Sequence, residues 1–246
     1  MMNPTSAAIL GLVQGLTEFI PVSSSGHLVI AQNLIPGFSQ PGILFDVVLH
    51  FGTLFAVLYY FWQRLLNLDK KYLIILAIGT VPAALVGYLF QSQLEKMFGD
   101  LSWVGVELII TGILNLLIDK LPSKSGVISI KNSFLIGISQ AIAIIPGISR
   151  SGATIFTGVS LGISKKEAAE FSFLLSIPAI AGANLLQFMT HGADNSIGVA
   201  SYIVGFAVSF LVGFASIKLV FKFLQEGKFK IFGIYSILLG ALVLVI

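Results

Sequence analysis

Gln14 and Glu18 stand four residues apart in an otherwise apolar stretch, GLVQGLTEFIPVSSSGHLVI over residues 11–30, that also holds Ser23, Ser24, Ser25 and His27. On a helix that spacing puts the amide and the carboxylate on one face, aimed at one spot. The serines follow Pro21, where one helix must stop and another start. Serine caps such a start, and the free backbone N–H groups there, with the positive end of the helix dipole, make an anion pocket. His27 comes three residues after Ser24, within one turn, so it could act as a base toward that hydroxyl or attack phosphorus itself. Glu18, helped by Gln14, could hold a hard divalent cation, Mg2+ or Ca2+, whose remaining ligands would be phosphate oxygens and water.

A second polar break, PGISRSGAT over residues 146–154, repeats the pattern with Ser149, Ser151 and Thr154 and adds Arg150. An arginine at membrane depth is costly unless it meets a negative partner, and its planar fork of donors suits phosphate or carboxylate. The two breaks together therefore predict an anionic ligand. Ser23, Ser25, Ser149, Ser151 and Thr154 are expected to bind it as well as to cap the helix starts, while Arg150 neutralises charge on a transferring phosphoryl group.

The surroundings require a membrane. Of 246 residues, 56% are hydrophobic and only 10% charged, far below the quarter usual in soluble domains. Long uncharged runs recur from end to end, which excludes a large water-soluble core. With no cysteine, disulfides, thiolate metal sites and a cysteine nucleophile are excluded. The first ten residues lack a basic region followed by a cleavage site, so the first helix is expected to stay. The net charge of +3 comes from lysines in short loops, which gives no reason to expect a nucleic-acid partner.

Taken in order, residues 3–20 and 27–34 make two arms too short to cross comfortably, the first reaching roughly 27 Å at ~1.5 Å per residue. Joined by a polar, proline-containing break, they predict a re-entrant hairpin, tolerated only where protein or a wet cavity covers the backbone. Spans are expected at 42–62, 72–90 and 103–118. The pattern then repeats. At an offset of 126, Gly137 falls on Gly11, Gln140 on Gln14, Ser149 on Ser23, Ser151 on Ser25, Gly152 on Gly26, Phe171 on Phe45, Gly205 on Gly79 and Gly213 on Gly87. At 128, Gly233 and Gly240 fall on Gly105 and Gly112. The expected fold is an all-α polytopic membrane protein, a single domain over 1–246, built by inverted-topology duplication of repeats 1–122 and 127–246. Each repeat is a re-entrant helical hairpin plus three transmembrane helices, the second hairpin covering 133–163.

Three crossings per repeat turn the second copy upside down. On that topology Arg64, Lys70, Lys71, Lys120, Lys124, Lys131, Lys165, Lys166, Lys218, Lys222, Lys228 and Lys230 share one side, leaving Lys96 opposite and Arg150 within a break. The lysine-rich side is then cytoplasmic, both termini face outward, and the hairpin tips meet near the midplane.

The pair GLVQGLTEFIPVSSSGH and PGISRSGAT, with the repeat and the hydrophobic profile along essentially the whole chain, resembles the bacterial undecaprenyl pyrophosphate phosphatase family, also called the bacitracin resistance protein family. The resemblance implies a phosphatase of the bacterial inner membrane, multi-pass, that removes one phosphate from an isoprenoid pyrophosphate lipid. It would thereby recycle the carrier of cell-wall synthesis with the help of a divalent cation. The family's acidic motif falls on Gln14 and Glu18, its serine and histidine on Ser24 and His27, and its arginine motif on Ser149, Arg150 and Thr154. Gln14 stands at a position where the family accepts glutamate or glutamine.

A competing reading is a transporter or flippase for an anionic isoprenoid lipid phosphate, since inverted repeats with broken helices are a transport architecture. Asymmetry weighs against it: Glu18, Ser24 and His27 align with Ile144, Arg150 and Ala153. Asp46 and His50 either line the cavity or pair with each other; Glu107, Asn115, Glu170 and Asn184 are expected to stitch helices, and His191 lies in an outer loop. A homodimer is left open.

Overall fold

The computed structural model describes residues 2–36, 38, 44–91, 93, 101–122, 125–145, 147–191 and 197–245, and among them every regular element is a helix. The side chains of Leu101, Ser102, Phe188 and His191 also fall outside the description, as do Gly37, Gly42, Lys96, Lys124 and Pro146 entirely. In order, the helices are α1 (Pro4–Thr17), α2 (Ser24–Leu34), α3 (Leu44–Tyr60), α4 (Trp62–Leu66), α5 (Lys70–Leu89) and α6 (Leu101–Ile118). There follow α7 (Ile130–Ile142), α8 (Arg150–Ser160), α9 (Lys165–His191), α10 (Val199–Gln225) and α11 (Lys230–Val243).

Local chemistry sets the boundaries. Asn3 caps α1 by accepting from the Ser6 N–H at 2.8 Å, with Pro4 in the first turn where its missing N–H does no harm. The helix stops at Thr17 instead of the expected Ile20, because Pro21 cannot donate to the Thr17 carbonyl and its ring crowds that turn. The second arm starts at Ser24, three residues before the expected His27, so the histidine lies inside the first turn of α2. The span expected over 42–62 ends at Tyr60 and passes through Phe61 into the separate α4.

Among the described residues, three helices are long and apolar enough to cross a membrane: Lys70–Leu89, the Lys165–Gln187 part of α9, and Val199–Gln225. Leu44–Tyr60, Trp103–Ile118 and Lys230–Val243 are apolar but shorter. With the length and apolar character of these helices, the chain is a polytopic membrane protein.

α1 lies along α10, α6 along α11 and α5 along α7, while α3 packs on both α10 and α9, and α8 is held among α6, α7 and α9. Lipid is as apolar as leucine, so what selects these pairs is close approach. A Cβ on Gly11 would stand 2.7 Å from the Gly205 carbonyl oxygen, and one on Gly112 the same distance from that of Gly233. Around this frame one apolar cluster, including Phe19, Phe61, Phe171, Phe173 and Phe229, fills the end of the bundle where α3 finishes and α9 and α11 begin. A smaller one, with Leu10, Leu28, Phe45 and Leu49, fills the other. The first end is also ringed by charge: Arg64 meets Glu170 at 3.0 Å, and Asp119 takes Lys165 at 3.1 Å and the Lys230 N–H at 2.9 Å.

Gly11→Val should therefore lower the thermal unfolding midpoint in detergent by the equivalent of about 1–3 kcal/mol. Gly182→Ala, in α9 with nothing within 4 Å of the added carbon, should instead raise it slightly, by about 0.5–1 kcal/mol.

Candidate active site

Where α1 ends, Glu18 points its carboxylate into the gap between the two hairpins. Its Oε1 accepts from Arg150 Nη2 at 2.6 Å, and its Oε2 accepts from Ser24 Oγ at 2.6 Å and from Gln14 Nε2 at 2.9 Å. Of the residues named for chemistry, Gln14, Ser24 and Arg150 thus meet on the carboxylate of Glu18, and His27 does not. The pair is deep: the Glu18 side chain is 5% exposed and that of Arg150 16%. Arg150 Nη1 is held in addition by the Ser172 carbonyl at 3.4 Å.

Both tips are built in the same way. Ser23 caps α2, accepting from the Gly26 N–H at 3.2 Å, and Ser149 caps α8, accepting from the Gly152 N–H at 3.1 Å. Each cap lies beside the next serine but one, Ser25 at 3.3 Å and Ser151 at 3.2 Å between hydroxyl oxygens. Ser23 holds φ 72°, the one non-glycine in the left-handed region among the described residues. Such a conformation is uncommon for a residue with a side chain, and it is what turns Ser24 back toward Glu18. The backbone N–H groups of Ser24 and Ser25, and of Arg150 and Ser151, open their helices and have no acceptor within them. Among the described residues they have no hydrogen-bond acceptor, which leaves them as donors an anion could take.

The tips are tied to each other and to α6. Ser25 Oγ accepts from the Gly147 N–H at 3.3 Å. Four residues apart on α6, Asn115 donates to the Pro21 carbonyl of one tip, and Thr111 donates to the Gly147 carbonyl of the other at 3.1 Å while accepting from the Ser149 N–H at 2.9 Å. Gly147 has φ +92°, and a Cβ there would stand 2.5 Å from Glu107 Oε2, so only glycine fits. Of the expected stitching residues, Asn115 and Glu170 bridge helices, Glu107 buttresses the tip by contact, and Asn184 Nδ2 is buried with no partner among the described residues.

Other expected members are placed elsewhere. His27 donates from Nδ1 to the Ser23 carbonyl at 2.7 Å, and its Nε2 shares a hydrogen bond of 2.8 Å with the hydroxyl of Tyr235, on whose ring the imidazole also stacks. Ser24 donates its hydroxyl hydrogen bond to Glu18, so the geometry pairs the hydroxyl with the acid and the histidine with a tyrosine. Thr154, 1% exposed, bonds the Arg150 carbonyl at 2.8 Å and the Ser172 hydroxyl at 2.7 Å, which makes it a support for Arg150.

His50 faces the site. Its Nδ1–H donates to the Asp46 carbonyl at 2.7 Å, and its Nε2 lies 3.8 Å from Glu18 Oε2, with the side chain 28% exposed. Asp46 instead takes Gln32 Nε2 at 2.7 Å. Thr53, one turn beyond His50, accepts weakly from Gln14 Nε2 at 3.4 Å. The spacing of Asp46, His50 and Thr53 along one face was a usable signal for these neighbours. Nothing local signalled Tyr235, which is far along the chain.

A metal can be weighed against the same atoms. Glu18 and Gln14 offer hard oxygens, and Gln14 Oε1 is buried with no hydrogen-bond partner among the described residues. That is an acceptor in want of a positive neighbour, so the pair fits an oxygen-seeking divalent cation completed by a ligand's own oxygens. No cluster of three or more histidine, cysteine, aspartate or glutamate residues suited to a metal occurs among the described residues, so such an ion would depend on that ligand.

A helical membrane protein whose two chain breaks bring a carboxylate, a hydroxyl and a guanidinium together, beside open helix N-termini, belongs to the class built to handle an anionic group within the bilayer. The chain belongs to the family described as bacitracin resistance protein BacA, which it matches over residues 7–242. It is similar to proteins named undecaprenyl-diphosphatase. That of Syntrophotalea carbinolica is 40% identical over 98% of both chains. That of Carboxydothermus hydrogenoformans is 42% identical over 100% of this chain and 98% of its own. That of Pelotomaculum thermopropionicum is 41% identical over 100% and 97%.

Removing one member of the buried ion pair strands the other. Arg150→Met and Glu18→Gln should each destabilise by about 3–5 kcal/mol, and the double variant should recover much of that loss. Thermal melts of all four forms in one detergent check it, additive losses being the contrary result.

Proposed function

We propose that the chain hydrolyses undecaprenyl pyrophosphate to undecaprenyl phosphate and inorganic phosphate, recycling the lipid carrier of cell-wall synthesis. The observation that carries the reading is the Ser24–Glu18–Arg150 contact, a hydroxyl already hydrogen-bonded to a base beside a fixed positive charge. Ser24 Oγ attacks the terminal phosphorus and gives its proton to Glu18; the new O–P bond forms as the bridging P–O bond breaks, and undecaprenyl phosphate departs. Water then attacks the phosphoserine, and Ser24 regains its proton as inorganic phosphate leaves. Arg150, with the N–H groups of Ser24, Ser25 and Ser151, carries the charge of the phosphoryl oxygens. Glu18 and Gln14 would hold a Mg2+ or Ca2+ ion beside the diphosphate, whose chemistry is charge neutralisation. His27, Ser23, Ser149 and Thr154 position these groups.

We infer further that the halves, 1–122 and 127–246, are inverted copies. Supporting this, Gly11 packs on Gly205 as Gly137 packs on Gly79, Gly105 and Gly112 face Gly240 and Gly233, and the two caps match bond for bond. Both termini then lie outside, with the charged end of the bundle cytoplasmic. A carrier working by symmetry would not need Glu18, Ser24 and His27 in one half alone.

Purified protein should release phosphate from undecaprenyl pyrophosphate. Ser24→Ala and Glu18→Gln should each slow release by about 10²- to 10⁴-fold, and chelation should lower it reversibly. A trapped phosphoserine at position 24 is the expected intermediate. Full activity of Ser24→Ala would transfer the attack to His27 or water. Single cysteines at Leu34 and Val127, 76% and 80% exposed, should be labelled by impermeant reagents from opposite sides; labelling from one side would remove the inverted topology.

A further inference from the structure

α5 and α7 meet closely at one end and part at the other. Ser133 Oγ donates to the Ile75 carbonyl at 2.6 Å, and Gly79 and Gly137 touch backbone to backbone. Beyond that crossing a groove of about 630 Å³ opens, lined by Val81, Pro82, Leu85, Phe90, Ala141 and Ile145 with their neighbours, almost wholly apolar. Much of its wall is uncovered, Leu85 being 56% and Phe90 50% exposed.

The corresponding pair in the first half, α1 on α10, is shut at the same register. Gly15 stands where the second half has Ala141, and a Cβ there would lie 2.7 to 2.9 Å from Val212, Gly213 and Ser209. Gly213 is packed against Thr53, Phe19 and Ala56, whereas a Cβ on its counterpart Gly87 would meet, among the described residues, only the end of Ile144 at 3.8 Å. Two sequence differences account for the opening. Ala141 keeps the backbones apart where Gly15 lets them touch. Pro82, inside α5 and in the groove wall, cannot donate to the Ile78 carbonyl and crowds that turn, where α10 has Val208.

The groove is also in the right place. It starts about 16 Å along α5 from Lys70 and follows the helix for about 14 Å, at ~1.5 Å per residue, to its far end. Ile145, on its wall, belongs to the tip that leads into Arg150. Resting on the hydrolase reading, we propose that this groove seats the substrate's tail beyond its first isoprene unit, so that the diphosphate is fixed against Ser24 and Arg150. A ligand whose head sits at the tips needs an apolar exit for its chain, and this open apolar wall begins at a tip. Lipid chains and isoprenoid are equally at home in hydrocarbon, so the groove gains little from burial; it acts by shape and by holding the head in line.

The test compares kcat/KM of the full chain in nanodiscs for undecaprenyl pyrophosphate and for a five-carbon isoprenyl pyrophosphate too short to reach the groove. Leu85→Trp, at an exposed wall position, should lower the long-chain value about fivefold while the short-chain value changes less than about twofold. Equal changes, or none, overturn the proposal. Because a bulky variant can also disturb folding, a diazirine-bearing isoprenyl pyrophosphate is photolysed on the unmodified protein. Labelled peptides should map to 81–90 and 134–145; labelling of α1 and α10 instead, or of no protein at all, rejects the groove. If neither pyrophosphate is hydrolysed, the hydrolase reading fails, and the photolabel still decides whether the groove takes the chain.

Discussion

The ion pair between Glu18 and Arg150 is the constraint on which the rest of the structure depends. Two charges in a low-dielectric interior must find each other, and these lie 132 positions apart, one closing α1 and the other opening α8. Their meeting requires that both helices break at the same depth, and that the breaks face each other. Pro21 and the positive φ of Ser23 make one break; Gly147 makes the other. α6 then fixes the distance between them, through Thr111 to one tip and Asn115 to the other. Neither hairpin could hold its backbone open in hydrocarbon without these partners.

Packing follows from the same need for close and fixed approach. A pocket aligned to a few tenths of an ångström has to be carried by helices that cannot slide, and in lipid that rigidity comes from small residues and short hydrogen bonds. Gly11 and Gly15 lock α1 onto α10, and Ser209 Oγ donates to the Leu49 carbonyl at 2.7 Å to lock α3 there as well. Glu18 and His50 are thereby held on neighbouring helices that share one support. Phe19, next to Glu18, packs edge-on against Phe173 at 5.4 Å, so the residue after the acid is anchored in the apolar cluster.

Much of this was legible in the sequence, for identifiable reasons. Polar residues in lipid are rare enough that Gln14, Glu18, Ser24 and Arg150 announced themselves, and the structure does bring the other three onto the carboxylate of Glu18. Helix ends were less legible: Thr17 and Ser24 are set by one proline and one strained serine, and a periodicity argument overran the first by three residues and fell three short of the second. The i to i+3 spacing of His27 from Ser24 says which residues are near, not which way a ring turns. Tyr235, on the last helix, takes that ring, and only the three-dimensional packing could show it. Conversely, His50 could be listed but not aimed, since its orientation toward Glu18 depends on how α3 is rotated against α10.

The ground state described here is balanced: one carboxylate, one guanidinium, and two neutral donors completing the acid's acceptors. That balance lets the site exist without its ligand, because no charge is left alone. It also sets what must happen when a diphosphate arrives. Arg150 is already matched by Glu18, so it can share itself with the newcomer but cannot cancel several more negative charges. The free N–H groups of the helix starts supply partial charge only, about half a unit per helix end. On this arithmetic part of the diphosphate's charge is left for a counter-charge from outside the protein, and the buried Gln14 Oε1, without a hydrogen-bond partner among the described residues, lies beside the carboxylate where it would be needed. The protein's own share of the chemistry is then to hold one hydroxyl and one base in contact, and to keep water and stray lipid from separating them.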